Sequence, residues 1–179
     1  MMLRIGHRES HDIDIFLSDP QQLPFLDPGK QGFDFEIRPD DCSGDGLRSL
    51  KLSFARIGEI DFIVAGALTD DPTTKFEIDD EAVDLETIPE IITKKIYHRG
   101  GSLKPRDIFD VAAAGIEFGD AVIAALRRYP DQAGRALATI EKLNPEFVNR
   151  AIAQLAIKEP YEAIAPEAIE RSRKLLRSI

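Results

Sequence analysis

Apolar and polar residues alternate with a period of two in several segments of the first half of the chain, a pattern typical of half-buried β-strands. The alternation predicts strands at residues 12–17, 32–39, 47–57 and 59–68, with a short edge strand at 76–78. The strands on either side of Gly58 are expected to form a hairpin. Glycine, proline, aspartate and serine predict a long loop at residues 18–32, a turn at 40–46 and an acidic loop over the remainder of 69–86.

A helical period replaces the alternation after residue 86. Thr87 is the predicted N-cap of a helix that has Glu90 in its first turn and ends at Arg99, before two glycines. A proline opens the next helix, and further short helices follow, separated by glycine, asparagine and proline. The chain is therefore expected to be α+β, with a small mixed sheet in residues 1–86 and a helical region in residues 87–179.

The composition is that of a globular protein, with 43% hydrophobic and 31% charged residues. No run of about 18 apolar residues occurs, so no membrane-spanning segment is expected. The N-terminal residues lack the apolar stretch of a secretion signal, and the single Cys42 cannot form an internal disulfide. These features favour a cytoplasmic protein in which Cys42 is passive.

The charge is distributed unevenly along the chain. A formal net charge of −9 disfavours broad electrostatic binding to nucleic acid. Residues 93–106, by contrast, contain five basic residues and no acidic one: Lys94, Lys95, Arg99, Lys104 and Arg106. This basic segment is expected to bind a phosphate.

Two aspartates interrupt the first predicted strand. Asp12 and Asp14 are two residues apart, so they project from the same face, while Ile13 and Ile15 are expected to point into the core. Adjacent carboxylates repel each other, and Mg²⁺ is commonly held by one or two carboxylates together with substrate phosphates. The pair is therefore either a metal site or a solvated pair at a strand end.

Asp61 lies between Ile60 and Phe62 in a later strand, on the same face as Glu59. A third carboxylate on a neighbouring strand would complete a two-metal site or act as a base. The alternatives are an exposed strand residue and a local ion pair.

Lys95 and Arg99 are four residues apart and are neighbours on one helix face, where they would meet a triphosphate as a point charge and a fork. Alternatively, Lys95 extends its ammonium group from the apolar stripe into solvent. Arg106 and Asp110 have the same spacing and are expected to form a surface ion pair. The histidines show no metal-ligand spacing and are expected to be accessory: His7, His11 and His98.

The chain resembles the nucleotidyltransferase family of the abortive-infection toxin AbiEii in four ordered segments: GHRESHDIDIF, EIDFIV, PEIITKKIYHRG and KPRDIFDVA. The resemblance covers residue 3 to about residue 115. It implies the minimal polymerase-β-like nucleotidyltransferase fold. Toxin members of that family are paired with an antitoxin protein, and some transfer nucleotides to tRNA ends and so stop translation.

The resemblance also implies roles for individual residues. Asp12, Asp14 and Asp61 match the acidic residues that hold Mg²⁺ or Mn²⁺, and a nucleoside triphosphate is the implied substrate. Lys95 matches the lysine that faces the nucleotide phosphates, with Lys94 as the alternative if the register slips. The remaining matches are Asp107, the acidic residue that opens a later helix, and Arg8, which precedes the Asp-x-Asp strand.

One family feature is not found in this sequence. Relatives carry Gly-Gly followed by Ser or Thr before this region, and this loop holds the nucleotide, whereas no glycine precedes Gly6 here. Weak or no nucleotidyl transfer is therefore expected from the 179-residue chain. The alternative functions are a catalytically inactive family member that acts as a protein-binding module, and a metal-dependent phosphohydrolase that uses the same carboxylates.

Overall fold

The computed structural model describes all 179 residues, Met1–Ile179, and contains two compact units. The sheet unit is Ser10–Gly66, and the helical unit is Met1–Glu9 together with Ala67–Ile179. The expected α+β class is confirmed, with the following elements in chain order: α1 (Met2–Ile5), β1 (Ile13–Leu17), α2 (Leu23–Leu26), β2 (Asp41–Gly44), β3 (Ser49–Phe54), β4 (Gly58–Val64), β5 (Thr73–Ile78), β6 (Glu81–Glu86), α3 (Ile88–Arg99), α4 (Pro105–Glu117), α5 (Gly119–Leu126), α6 (Pro130–Lys142), α7 (Pro145–Ile152) and α8 (Ala168–Leu176). None of the helices combines the length and apolarity needed to cross a membrane.

The sheet unit contains a four-stranded mixed sheet in the order β1-β4-β3-β2. β1 runs parallel to β4, and the other neighbours are antiparallel. The predicted hairpin at Gly58 is confirmed as β3–β4. Gly58 has φ 146°, and a Cβ there would lie 2.1 Å from the carbonyl oxygen of His11, so only glycine fits this close approach of two backbones.

The small apolar layer of the sheet unit is built on Leu23, Leu50 and Leu52. The prediction that Ile13 and Ile15 point into a core is wrong, because these side chains are 56% and 38% exposed. β1 is an edge strand, and the fully buried part of the layer lies around β3 and α2. Apolar alternation identified the strand but not what covers it.

The predicted strand at residues 32–39 does not form, and Phe33 and Ile37 are 43% and 57% exposed. The edge of β3 that faces away from β4 is instead paired with β2, which lies within the predicted turn at residues 40–46. A strand needs a partner for its backbone groups. Here Asp40 starts the ladder, since its N–H donates to the carbonyl of Ser53 at 2.8 Å.

The helical unit includes the β5–β6 hairpin, where a single short edge strand was predicted at residues 76–78. α3 begins after the predicted N-cap, because the Thr87 hydroxyl accepts a hydrogen bond from the Glu90 N–H at 3.4 Å. The helices enclose one large apolar core, to which α3 contributes Ile88, Ile92 and Ile96. The boundaries of the two units are determined by which residues pack together, whereas the predicted division at residue 86 was determined by the change from strands to helices.

The N-terminal segment is fixed to the helical unit by side chains as well as by its backbone. Arg4 donates to the carbonyls of Leu85 and Glu86 and to the hydroxyl of Thr74, which ties α1 to the hairpin. Further along, the backbone of Glu9 donates to the carbonyl of Ala156 at 2.9 Å. Residues 1–9 are therefore a structural part of this unit.

Candidate functional site

The sheet unit brings the predicted acidic residues to one face. The parallel register of β1 and β4 pairs Asp14 with Asp61 directly. Paired residues of neighbouring strands project to the same side, and so do residues two apart in one strand. Extending the register by one residue beyond Ile13 sets Asp12 beside Glu59. We call these four carboxylates the acidic face.

Lys51 is the basic side chain on the acidic face. Its Nζ lies 2.5 Å from Oε2 of Glu59 and 3.4 Å from Oδ2 of Asp61. The hydrogen bond to Glu59 raises the pKa of Lys51 above its ordinary value. Asp61 therefore forms the local ion pair that was predicted as one alternative, and Lys51 is its partner.

Asp61 retains an electrostatic cost despite Lys51. Burial raises the pKa of this carboxyl above its ordinary value, Lys51 opposes that rise, and the negative charges of Asp14 and Glu59 add to it. Asp12 and Asp14 are exposed. The face thus holds more negative charge than its one lysine neutralises.

The described chain contains no group of three or more His, Cys, Asp or Glu side chains arranged to hold a metal ion. A depression of about 450 Å³ at the β3–β4 turn is lined by Glu59 and His11 but by none of the three predicted metal ligands. The oxygen donors of the acidic face suit Mg²⁺ or Mn²⁺ in kind. The assignment of Asp12, Asp14 and Asp61 as metal ligands stays a prediction.

In the helical unit, the predicted residues Lys95 and Asp107 are in contact. The Nζ of Lys95 is 3.1 Å from Oδ1 of Asp107 and 3.1 Å from Oδ2 of Asp110, while Nη1 of Arg99 is 3.9 Å from Asp107. The alternative that Lys95 extends into solvent is wrong, because its side chain is only 18% exposed and points at two buried carboxylates.

Asp110 is the centre of this group and was misjudged from the sequence. The expected surface pair with Arg106 is wrong, since Asp110 is 1% exposed. Its carboxylate accepts from Nε and Nη2 of Arg8 at 2.8 and 3.1 Å and lies 2.7 Å from Nε2 of His7. We call His7, Arg8, Lys95, Arg99, Asp107 and Asp110 the charged cluster.

The partners of Asp110 determine its ionisation. Burial alone would raise the pKa of Asp110, but the hydrogen bond from His7 and the charges of Lys95 and Arg8 hold it far below the ordinary value. Asp110 is therefore a carboxylate throughout the physiological range.

Lys94, the alternative to Lys95, is engaged elsewhere in the helical unit. Its ammonium lies 2.5 Å from Glu86 and 3.4 Å from Glu90, and the side chain is 7% exposed. The buried Glu90 carboxylate also accepts from the backbone N–H groups of Leu68 and Thr69 at 3.0 and 2.8 Å. This face of α3 holds the loop after β4 in place, so Lys95 is the lysine of the charged cluster.

Sequence reasoning missed three residues of these arrangements: His7, Lys51 and the central role of Asp110. The spacing of Asp107 and Asp110 on α4 was a usable signal, because residues three apart share a helix face. His7 and Lys51 carried no such signal. His98 and Cys42 are exposed and belong to neither group.

Comparison of the chain with family models, with curated proteins and with solved structures finds no match.

Proposed function

We propose that the chain is a metal-dependent nucleotidyltransferase that moves a nucleotide from a nucleoside triphosphate to an acceptor hydroxyl, such as that of a tRNA end. The observation that carries the proposal is the direct pairing of Asp14 with Asp61 on adjacent parallel strands. The resemblance of four ordered segments to AbiEii-type nucleotidyltransferases supports it.

The acidic face is easier to explain by function than by stability. Like charges directly opposite each other on adjacent strands destabilise a sheet. Burial and the nearby charge of Asp14 both raise the pKa of Asp61, which means that ionised Asp61 is held at a cost. A binding or catalytic role accounts for carboxylates that lower the stability of the sheet.

In this proposal Asp12, Asp14 and Asp61 would supply the oxygen ligands of the cation, although their side chains are not arranged around a metal position in the structure. A bound divalent ion supplies positive charge that offsets the negative charge of a triphosphate. The Lys51 ammonium already contacts Asp61 and Glu59, so the cation competes with it for oxygen. The exposed carboxylates of Asp12 and Asp14 would provide the first contacts.

The transfer step is a displacement at the α-phosphorus. The acceptor oxygen forms a bond to that phosphorus, the bond from phosphorus to the bridging oxygen breaks, and pyrophosphate leaves. The hydroxyl proton leaves to solvent, because Asp61 is assigned to the cation in this proposal.

The charged cluster supports phosphate binding by the helical unit. It sets three permanent cations, Arg8, Lys95 and Arg99, against two carboxylates, Asp107 and Asp110. The excess positive charge suits an anion, and guanidinium groups suit phosphate oxygens in particular. We extend the proposal to a cytoplasmic location and to an antitoxin as protein partner, as the resemblance implies.

The test is transfer of label from α-labelled nucleoside triphosphates to an RNA pool in the presence of Mg²⁺. We expect the wild-type transfer, itself predicted to be weak, to fall by at least about 100-fold in Asp14→Asn, since the substitution removes a charged contact to the cation. Asp34→Asn is the matched control, because Asp34 is an exposed loop aspartate of the same unit. Equal transfer by the Asp14 variant and the wild type would remove Asp14 from the mechanism.

A second candidate is a protein-binding module without catalysis. The observation that favours it is the exposure of large apolar side chains in the sheet unit, among them Ile13 at 56%, Phe25 at 68% and Leu47 at 73%. A nucleoside triphosphate that binds the folded chain raises its melting temperature by mass action. No shift with any triphosphate, together with co-purification of a partner protein, would favour the binding module.

A further inference from the structure

His7 is fully buried in the helical unit although it lies outside any helix. The residue is 1% exposed, and its ring stacks on Phe109 with centroids 5.9 Å apart. Tyr161 meets the ring edge-on at 6.2 Å, and the His7 carbonyl accepts from the N–H of Lys158 at 3.1 Å. Packing on two sides and the backbone contact together fix the position of the imidazole.

The two ring nitrogens of His7 have different surroundings. Nε2 lies 2.7 Å from Oδ1 of Asp110, whereas Nδ1 is buried and has no hydrogen-bond partner. An ionised carboxylate only accepts, so Nε2 must carry a proton. A second proton on Nδ1 would be a buried donor without an acceptor, which is unfavourable. This hydrogen-bond pattern favours the neutral tautomer with its proton on Nε2.

Asp110 connects His7 to Lys95. Oδ1 accepts from His7 and from Nε of Arg8, while Oδ2 faces Nη2 of Arg8 and the Nζ of Lys95, each at 3.1 Å. The plane of this carboxylate determines where Oδ2 lies, and His7 is one of the donors that fix the plane. His7 and Lys95 are thus connected through one carboxylate.

We propose that His7 is the positioning residue of Lys95, holding the Asp110 carboxylate as a neutral donor so that the ammonium stays in place without further charge in the cluster. A charged donor at this position would add a cation to a cluster that already has three cations and two carboxylates. A neutral donor keeps the excess at one. The inference rests on the proposed function only for the ligand that Lys95 meets.

The first test is spectroscopic and needs no activity. Long-range ¹H–¹⁵N correlation of the imidazoles, with the His7 signals assigned by their loss in His7→Gln, reports which nitrogen is protonated. We expect a protonated Nε2 and a bare Nδ1 for His7 at pH 7. An imidazolium, or a proton on Nδ1, would overturn the proposal.

The second test compares two substitutions. His7→Gln keeps an N–H donor within reach of Asp110, and His7→Leu removes it. The ¹H–¹⁵N signal of the Lys95 ammonium, assigned with Lys95→Arg, is expected to be retained in the glutamine variant and lost or shifted in the leucine variant. If His7→Leu fails to fold, His7→Gln against the wild type still decides, because a lost Lys95 signal there contradicts the proposal.

The third test measures binding of a nucleoside triphosphate at equilibrium. We expect His7→Leu to weaken binding about tenfold and His7→Gln to stay within about threefold of the wild type. Equal binding by both variants overturns the positioning role. Absence of binding by the wild type counts against the proposed function, while the two spectroscopic tests still decide the role of His7.

Discussion

Replacing Asp110 with asparagine tests whether the charged cluster stabilises the helical unit. Asp110 is 1% exposed, and its carboxylate oxygens lie 2.7 to 3.1 Å from side-chain nitrogens of His7, Arg8 and Lys95. Asparagine has the same size, but it removes the charge and replaces one acceptor with a donor that faces other donors. Disrupting a buried ion pair costs about 3–5 kcal/mol. For a chain of 179 residues this corresponds to a fall in melting temperature of about 6–20 °C.

The pH dependence identifies the source of this stabilisation. The pKa of Asp110 is far below its ordinary value in the folded state, whereas in the unfolded state it is about 3.9. The contribution of the ionised carboxylate is therefore complete above about pH 4 and declines as the pH falls, because the unfolded chain then binds a proton that the folded chain does not. The difference in unfolding free energy between wild type and variant should shrink by about 1.4 kcal/mol per pH unit below pH 4.

Urea denaturation followed by circular dichroism between pH 3 and pH 8 measures this difference. The matched control is Asp84→Asn, which removes the same charge from the same unit at an exposed pair with Lys75. We expect the control to change the unfolding free energy by less than about 0.5 kcal/mol. A deficit for Asp110→Asn below about 1 kcal/mol at pH 7, or one that does not narrow in acid, would refute the reasoning.

Three further expectations concern stability. Asp61→Asn should leave the melting temperature unchanged or raise it by a few degrees, because burial makes ionised Asp61 unfavourable, and a clear loss in thermal denaturation would contradict this. Gly58→Ala should destabilise the sheet unit by several kcal/mol, since its Cβ would lie 2.1 Å from the His11 carbonyl; urea unfolding checks it, and a near-wild-type midpoint would show that the hairpin adapts. Glu90→Gln should cost about 1–3 kcal/mol and speed amide exchange in the loop after β4, because it removes an acceptor from partly buried N–H groups. Unaltered exchange would argue against that anchor.

Local patterns predicted those elements whose first and last residues are marked by characteristic residue types. β3 and β4 were found because alternating residues flank a glycine, and α3 was found because Thr87, a first-turn proline and a final glycine pair mark its ends. β2 was not found, because Asp41–Gly44 becomes a strand only through pairing with β3. The opposite holds for residues 32–39. Their apolar and polar residues alternate, but no neighbouring strand pairs with the segment, and it does not form a strand.

The candidate residues divide in the same way. Asp12, Asp14 and Asp61 are recognisable because acidic residues stand out within apolar strands, and their shared face follows from strand geometry. His7 and Asp110 are 103 positions apart, so their contact depends on how the N-terminal segment packs on α4. Because this packing buries Asp110, a residue whose spacing from Arg106 is typical of a surface ion pair lies instead at the centre of the charged cluster. No local residue spacing in the sequence predicts this burial.

The stoichiometry of a single reaction tests the proposed function most directly. The chain is incubated with α-labelled nucleoside triphosphate, Mg²⁺ and an RNA pool, and label in RNA is compared with pyrophosphate released. Nucleotidyl transfer predicts one pyrophosphate for each nucleotide attached, with both products lost in Asp14→Asn and retained in Asp34→Asn. Orthophosphate without label in RNA would indicate a phosphohydrolase instead, and label in RNA at an unchanged level in Asp14→Asn would contradict catalysis by the acidic face.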